Sequence, residues 1–146
     1  MVINEDKAVK KYVHEFNKYE SFSLHDSVIK SIVEKEQQLI LTFEQGFYQT
    51  NDDGVLTNQL NNCKVIYDFN LDKNEDIYLS IIKYSNRRYK SITLDVFLKF
   101  LKKKSFEILF EFRSDFLKAI MLTGNIGNSY FEFKIHDVKK ITYIFN

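Results

Sequence analysis

The chain has 146 residues, a length that suits one domain over 1–146 and can bury a core without disulfides or metal. Its 21 basic and 20 acidic residues leave a net charge of +1, which lacks the Lys/Arg excess that a phosphate backbone demands and argues against nucleic acid as a partner. With 45% hydrophobic and 16% aromatic residues, including 14 Phe and 9 Tyr, the composition excludes disorder and favours strands.

The N-terminus lacks the apolar core of a signal peptide, and no apolar run reaches the ~20 residues that span a bilayer. The expectation is a cytoplasmic protein that does not enter membranes. Asn4 to about Tyr19 reads as a helix: Asn4 can cap it, Glu5 and Asp6 suit its positive end, and Val9, Tyr12, Val13 and Phe16 form a stripe. Phe22–Ser27 ends that helix and turns the chain. Val28–Glu34 and Gln38–Phe43 alternate as a hairpin. Gly46–Asn62 is the longest polar stretch, with Asn51-Asp-Asp-Gly54 as its turn signal, and is the best candidate for a mobile or functional loop.

Cys63–Phe69 and Ile77–Tyr84 read as a second hairpin across Asp72–Glu75. Thr93 caps a second helix over about 93–104, with Asp95 in its first turn and Lys102, Lys103 and Lys104 at its negative end. Its wide apolar set predicts burial against a sheet. Phe106, Ile108, Phe110 and Phe112 then alternate with Glu107, Glu111 and Arg113, a strand with one wet face. Phe116–Leu122 and Ser129–Ile135 flank the turn Gly124–Asn128, and Lys140–Phe145 closes the chain. The expected fold is α+β: about eight mostly antiparallel strands, as a sandwich or strongly curled sheet, with two helices.

Chemistry-bearing patterns are sparse. His25-Asp26 and His136-Asp137, with His14, hold residue types that bind metals, and His25, Asp26 and His136 would have to converge to make a metal-dependent enzyme. HD phosphohydrolases place such pairs on helices, whereas these fall at strand margins. Asp26 and Ser27 serve equally well as turn residues that satisfy backbone N–H groups, and Asp137 reads as a hairpin-turn residue. Cys63 is the only cysteine, so neither an intramolecular disulfide nor a cysteine metal cluster can form. No nucleophile elbow, phosphate loop or dinucleotide fingerprint is present. No catalytic, metal or cofactor residue is therefore assigned, and no cofactor is expected.

Two weaker signals concern binding. The stretch 51–76 is acidic (Asp52, Asp53 and Asp72 among others), and 83–90 is basic, with Arg87 and Arg88 at its centre. These residues are candidates for contact with a protein partner. Tyr67, Tyr78, Tyr84, Tyr130 and Tyr143 could instead line a small-ligand pocket inside a curled sheet.

Ser23-Leu-His-Asp-Ser27 before a Val/Ile strand, Ile92-Thr-Leu-Asp-Val-Phe-Leu98 and the closing Ile141-Thr-Tyr-Ile-Phe145 resemble a group of small bacterial proteins. Some of these are grouped with the immunity proteins of polymorphic toxin systems. The resemblance implies a non-enzymatic protein that neutralises a toxin by binding it, with His25 and Asp26 as fold-defining turn residues. The sequence thus leads to a protein-binding module, with a ligand-binding module and a His-Asp metal enzyme as the alternatives.

Overall fold

A computed structural model describes residues 9–14, 22–51, 53, 55–70, 76–83 and 87–146. It corrects the expected fold class: the chain is mostly β, with one helix among the described residues. In chain order the strands are β1 (Lys10–His14), β2 (Phe22–Ser23), β3 (Val28–Lys35), β4 (Gln38–Phe43), β5 (Tyr48–Thr50), β6 (Leu56–Gln59), β7 (Lys64–Phe69), β8 (Ile77–Lys83) and β9 (Tyr89–Ile92). The helix α1 (Leu94–Lys103) follows, then β10 (Phe106–Ser114), β11 (Ala119–Ile126), β12 (Ser129–Ile135) and β13 (Val138–Phe145). Ten strands form one antiparallel sheet in the order β1-β13-β7-β4-β3-β10-β11-β12-β8-β9, and β2-β5-β6 form a second.

The large sheet is rolled. Five strand spacings, about 24 Å if flat, separate β1 from β10 and β13 from β11. Yet Val138 at the start of β13 donates to Lys118 O, just before β11, at 2.8 Å, and His14 of β1 lies 4.0 Å from Asp115 at the end of β10. The roll hinges on β3 and β10, which share only the pairs Ile29–Phe106 and Val28–Glu107. One cluster fills the interior with residues of both halves, among them Leu41, Tyr67 and Ile141 from one and Ile108, Leu122 and Phe133 from the other.

Helix α1 forms where expected, with Thr93 Oγ1 accepting from Val96 N. Only one face is buried, through Leu94, Phe97 and Leu101. Phe97 meets Phe106, Phe131 and Phe133 edge-on with ring centres 5.2–5.4 Å apart, the favoured geometry for aromatic pairs. Val96 on the opposite side stays exposed, so the helix is less enclosed than its apolar count suggests.

Other expectations are also revised. Residues 10–14 of the expected N-terminal helix are an edge strand paired with β13, while 1–8 and 15–20 lie outside the described residues. The Val9, Tyr12, Val13, Phe16 spacing fits a helical period, and pairing with the edge of β13 overrides that local pattern. The β3–β4 hairpin forms as read. β7 and β8 are not a hairpin: β7 lies between β4 and β13, and β8 between β12 and β9. The 46–62 segment is not a free loop, because β5 and β6 pair within it. Its turn signal holds, with Asn51 Oδ1 accepting from Asp53 N and Val55 N at 3.0 Å. The turn after β11 is Gly127-Asn128; Gly124 is mid-strand and Phe116–Lys118 belong to the preceding turn.

Candidate functional site: an outward aromatic face on the β10–β11 hairpin

Strand β10 departs most from its sequence pattern. Strict alternation would put Phe106, Ile108, Phe110 and Phe112 on one buried face. Phe106 and Ile108 are fully buried, but the register against β11 slips between Ile108 and Phe110. One extra residue in a bulge reverses every side chain beyond it. Phe110 and Phe112 consequently point outward, 54% and 52% exposed with ring centres 6.1 Å apart, while Glu111 and Arg113 turn inward.

The His25-Asp26 turn sits against this bulge. Ser27 N donates to Leu24 O at 3.0 Å, closing a turn in which Asp26 has φ 61. Asp26 N donates to Ile108 O and Ile108 N to Ser27 O, both at 2.9 Å, so the turn occupies the backbone edge of β10 at the slip. Leu24 N donates to the inward Glu111 Oε1 at 3.3 Å. His25 Nδ1 lies 3.0 Å from Asp26 Oδ2, and its ring packs 5.6 Å from Phe110. His25 is half-buried and Asp26 exposed, at 44% and 62% side-chain exposure.

The inward polar residues hold the hairpin. Arg113, whose side chain is 8% exposed, donates from Nε to Asp115 Oδ1 at 2.9 Å, and the buried His14 approaches the same oxygen. Ser114 Oγ accepts from Leu117 N at 3.1 Å, fixing the turn beyond. At its tip Phe116 is 94% exposed and Leu117 63%. Phe110 and Phe112 on the strand and Phe116 and Leu117 at the tip are thus four exposed apolar side chains on one hairpin, which charge-assisted hydrogen bonds anchor from behind.

The candidate residues named from sequence do not gather. His25 faces Phe110, whereas His136 packs its ring 4.8 Å from Tyr78 and donates from its backbone N to Asp76 O. His14 is buried beside Asp115. Among the described residues no three His, Cys, Asp or Glu side chains are grouped to hold a metal ion. Asp137, at φ 50, does turn the chain, but between β12 and β13, which do not pair. Asp53 is exposed on the β5–β6 turn, and Arg87 and Arg88 are exposed beside the edge strand β9. These acidic and basic candidates therefore belong to different sheets; Asp52 and Asp72 lie outside the described residues.

The aromatic interior is filled. Tyr67 and Tyr143 are core residues, and Tyr143 stacks on Phe22 at 4.6 Å within a cluster that includes Phe47. Cys63 is fully buried, its Sγ donating to Asn61 O at 3.4 Å; desolvation pushes its pKa up against a smaller lowering by a backbone hydrogen bond from Phe47. Such a thiol is a poor nucleophile. The outward phenylalanines escaped the sequence reading because the bulge has no residue signature of its own. The visible signal was Phe116-Leu117, an apolar pair inside a charged turn.

No helix among the described residues is long and apolar enough to cross a membrane. No protein-family model matches the chain, and neither a curated protein nor a solved structure shows significant similarity to it.

Proposed function

We propose that the chain is a non-enzymatic protein-binding module, of the immunity-like kind that the Ser23–Ser27 resemblance implies, and that it engages its partner through the β10–β11 hairpin. The observation that carries this reading is the outward set Phe110, Phe112, Phe116 and Leu117. Aromatic side chains bury 150–250 Å² each and dominate interface energetics, and a contiguous exposed apolar patch marks a binding surface. The tie of Asp115 to Arg113 presents the tip in a fixed geometry, which lowers the ordering cost of binding. Arg87, Arg88 and Asp53, away from this face, would affect association rate more than the lifetime of the complex.

The test is affinity capture from the native cell with three proteins of verified fold: wild type, Phe116→Ser/Leu117→Ser and Arg87→Glu/Arg88→Glu. Wild type should retain one dominant protein that the tip variant loses. The charge variant should retain it with slower, salt-sensitive association. Equal retention by the tip variant would overturn the assignment of the surface, and capture of nothing under gentle conditions would overturn the binding reading.

A further inference from the structure

The outer face of the half-sheet β10-β11-β12-β8-β9 carries a groove that runs on from Phe112, beyond the hairpin tip. Phe112, Met121, Lys134 and Tyr78 stand in register across β10, β11, β12 and β8, a row about 14 Å long on the solvent side. Their chain neighbours Leu122, Phe133 and Leu79 point into the core. Two open hollows lie along this row. One, of about 390 Å³, is bordered by Tyr78, Ser80, Tyr89 and Ser91; the other, of about 190 Å³, lies over Phe112, Ala119 and Met121. Lys134 and His136 line both and stand at their junction.

The charges at that junction are unevenly engaged. Glu132, two residues before Lys134, accepts from Tyr89 Oη at 2.9 Å, and Tyr89 in turn accepts from Ser80 Oγ at 2.6 Å. Glu132 stays 4.0 Å from Lys134 Nζ, too far for a hydrogen bond. The Lys134 ammonium keeps its donors for a ligand. Arg113, beside the smaller hollow, is already held by Asp115, and Asp137 follows His136 on the exposed turn.

The geometry points to a binding site for a small amphiphilic anion. Its carboxylate or sulfonate would sit between Lys134 and His136, its apolar body over Phe112, Ala119 and Met121, with Ser80 and Ser91 available to polar substituents. This site shares Phe112 with the outward aromatic face but does not involve Phe116 or Leu117 at the hairpin tip.

Anilinonaphthalene sulfonate and dodecanoate are suitable probes, and Met121 is a direct reporter, because the only other methionine is Met1. Titration into protein labelled at the methionine methyl carbons should shift the Met121 resonance saturably. Lys134→Glu should weaken binding roughly tenfold or more, the scale of a lost charge-assisted hydrogen bond, and Phe112→Ser should also weaken it. Phe116→Ser/Leu117→Ser should bind as wild type, which separates this site from the partner surface. The uncharged analogue N-phenyl-1-naphthylamine should bind more weakly than the sulfonate. No saturable Met121 shift by about 1 mM, unchanged affinity in Lys134→Glu, or equal binding of the uncharged analogue would each overturn the site.

Discussion

Asp26 holds a left-handed backbone, φ 61, between two hydrogen bonds that fasten the turn to Ile108. Only Gly, and to a lesser degree Asn and Asp, adopt that conformation readily. If the residue serves the turn, Asp26→Asn and Asp26→Gly should leave stability within about 0.5 kcal/mol, whereas Asp26→Val should cost about 1–2 kcal/mol. Urea denaturation of the three variants measures this directly, and a large loss in Asp26→Asn would show that the carboxylate itself matters. Cys63 offers a second test. Burial lifts the thiol above its ordinary value of 9.0, so the folded chain keeps a proton that the unfolded chain releases. Stability is therefore unaffected by this group below about pH 9 and falls as pH rises above it. Cys63→Ala should flatten the alkaline limb of a stability–pH curve, and iodoacetamide should label the native thiol only as fast as the chain opens.

At the scale of elements, most strands were legible because alternation is a local signal. The β3–β4 hairpin and the capped helix α1 follow directly from the residues that form them. The hairpin phenylalanines were not, because the bulge arises where two distant segments meet: the 24–27 turn takes the backbone groups of Ile108. On the other side of β10, Gly124 of β11 lies close against the same point of the strand. A Cβ there would stand 1.9 Å from Glu107 O, against backbone rather than a side chain that could swing away. Gly124→Ala should cost about 1–3 kcal/mol, as overpacking does, and should disturb the register of β10. Amide hydrogen exchange across β10 and β11 would report both effects. Unchanged protection would mean that the slip is not pinned at this position.

The rolled sheet is the least legible feature, since sequence supplies strands but not their neighbours. His136-Asp137 reads as a hairpin turn and instead carries the chain from β12 in one half to β13 in the other. Closure then depends on contacts between the two halves, Val138 with Lys118 and His14 with Asp115, and Asp115, held by Arg113 of its own strand, is the polar part of that seam. Arg113 is almost sealed from water, so neutralising its carboxylate partner weakens a nearly buried charge-assisted pair. Losing one partner of a fully buried pair costs about 3–5 kcal/mol, and the partial exposure of Asp115 reduces this to about 1–3 kcal/mol in Asp115→Asn. The loss should be uneven. Amides of β1, an edge strand paired only with β13 in the sheet, should exchange faster, while those of α1, packed on Phe106, Phe131 and Phe133, should keep their protection. Because Asp115 also positions Phe116 and Leu117, the same substitution should weaken capture of the partner by more than the fold is weakened. Uniform loosening of both elements would place the seam elsewhere and leave the hairpin as a surface independent of closure.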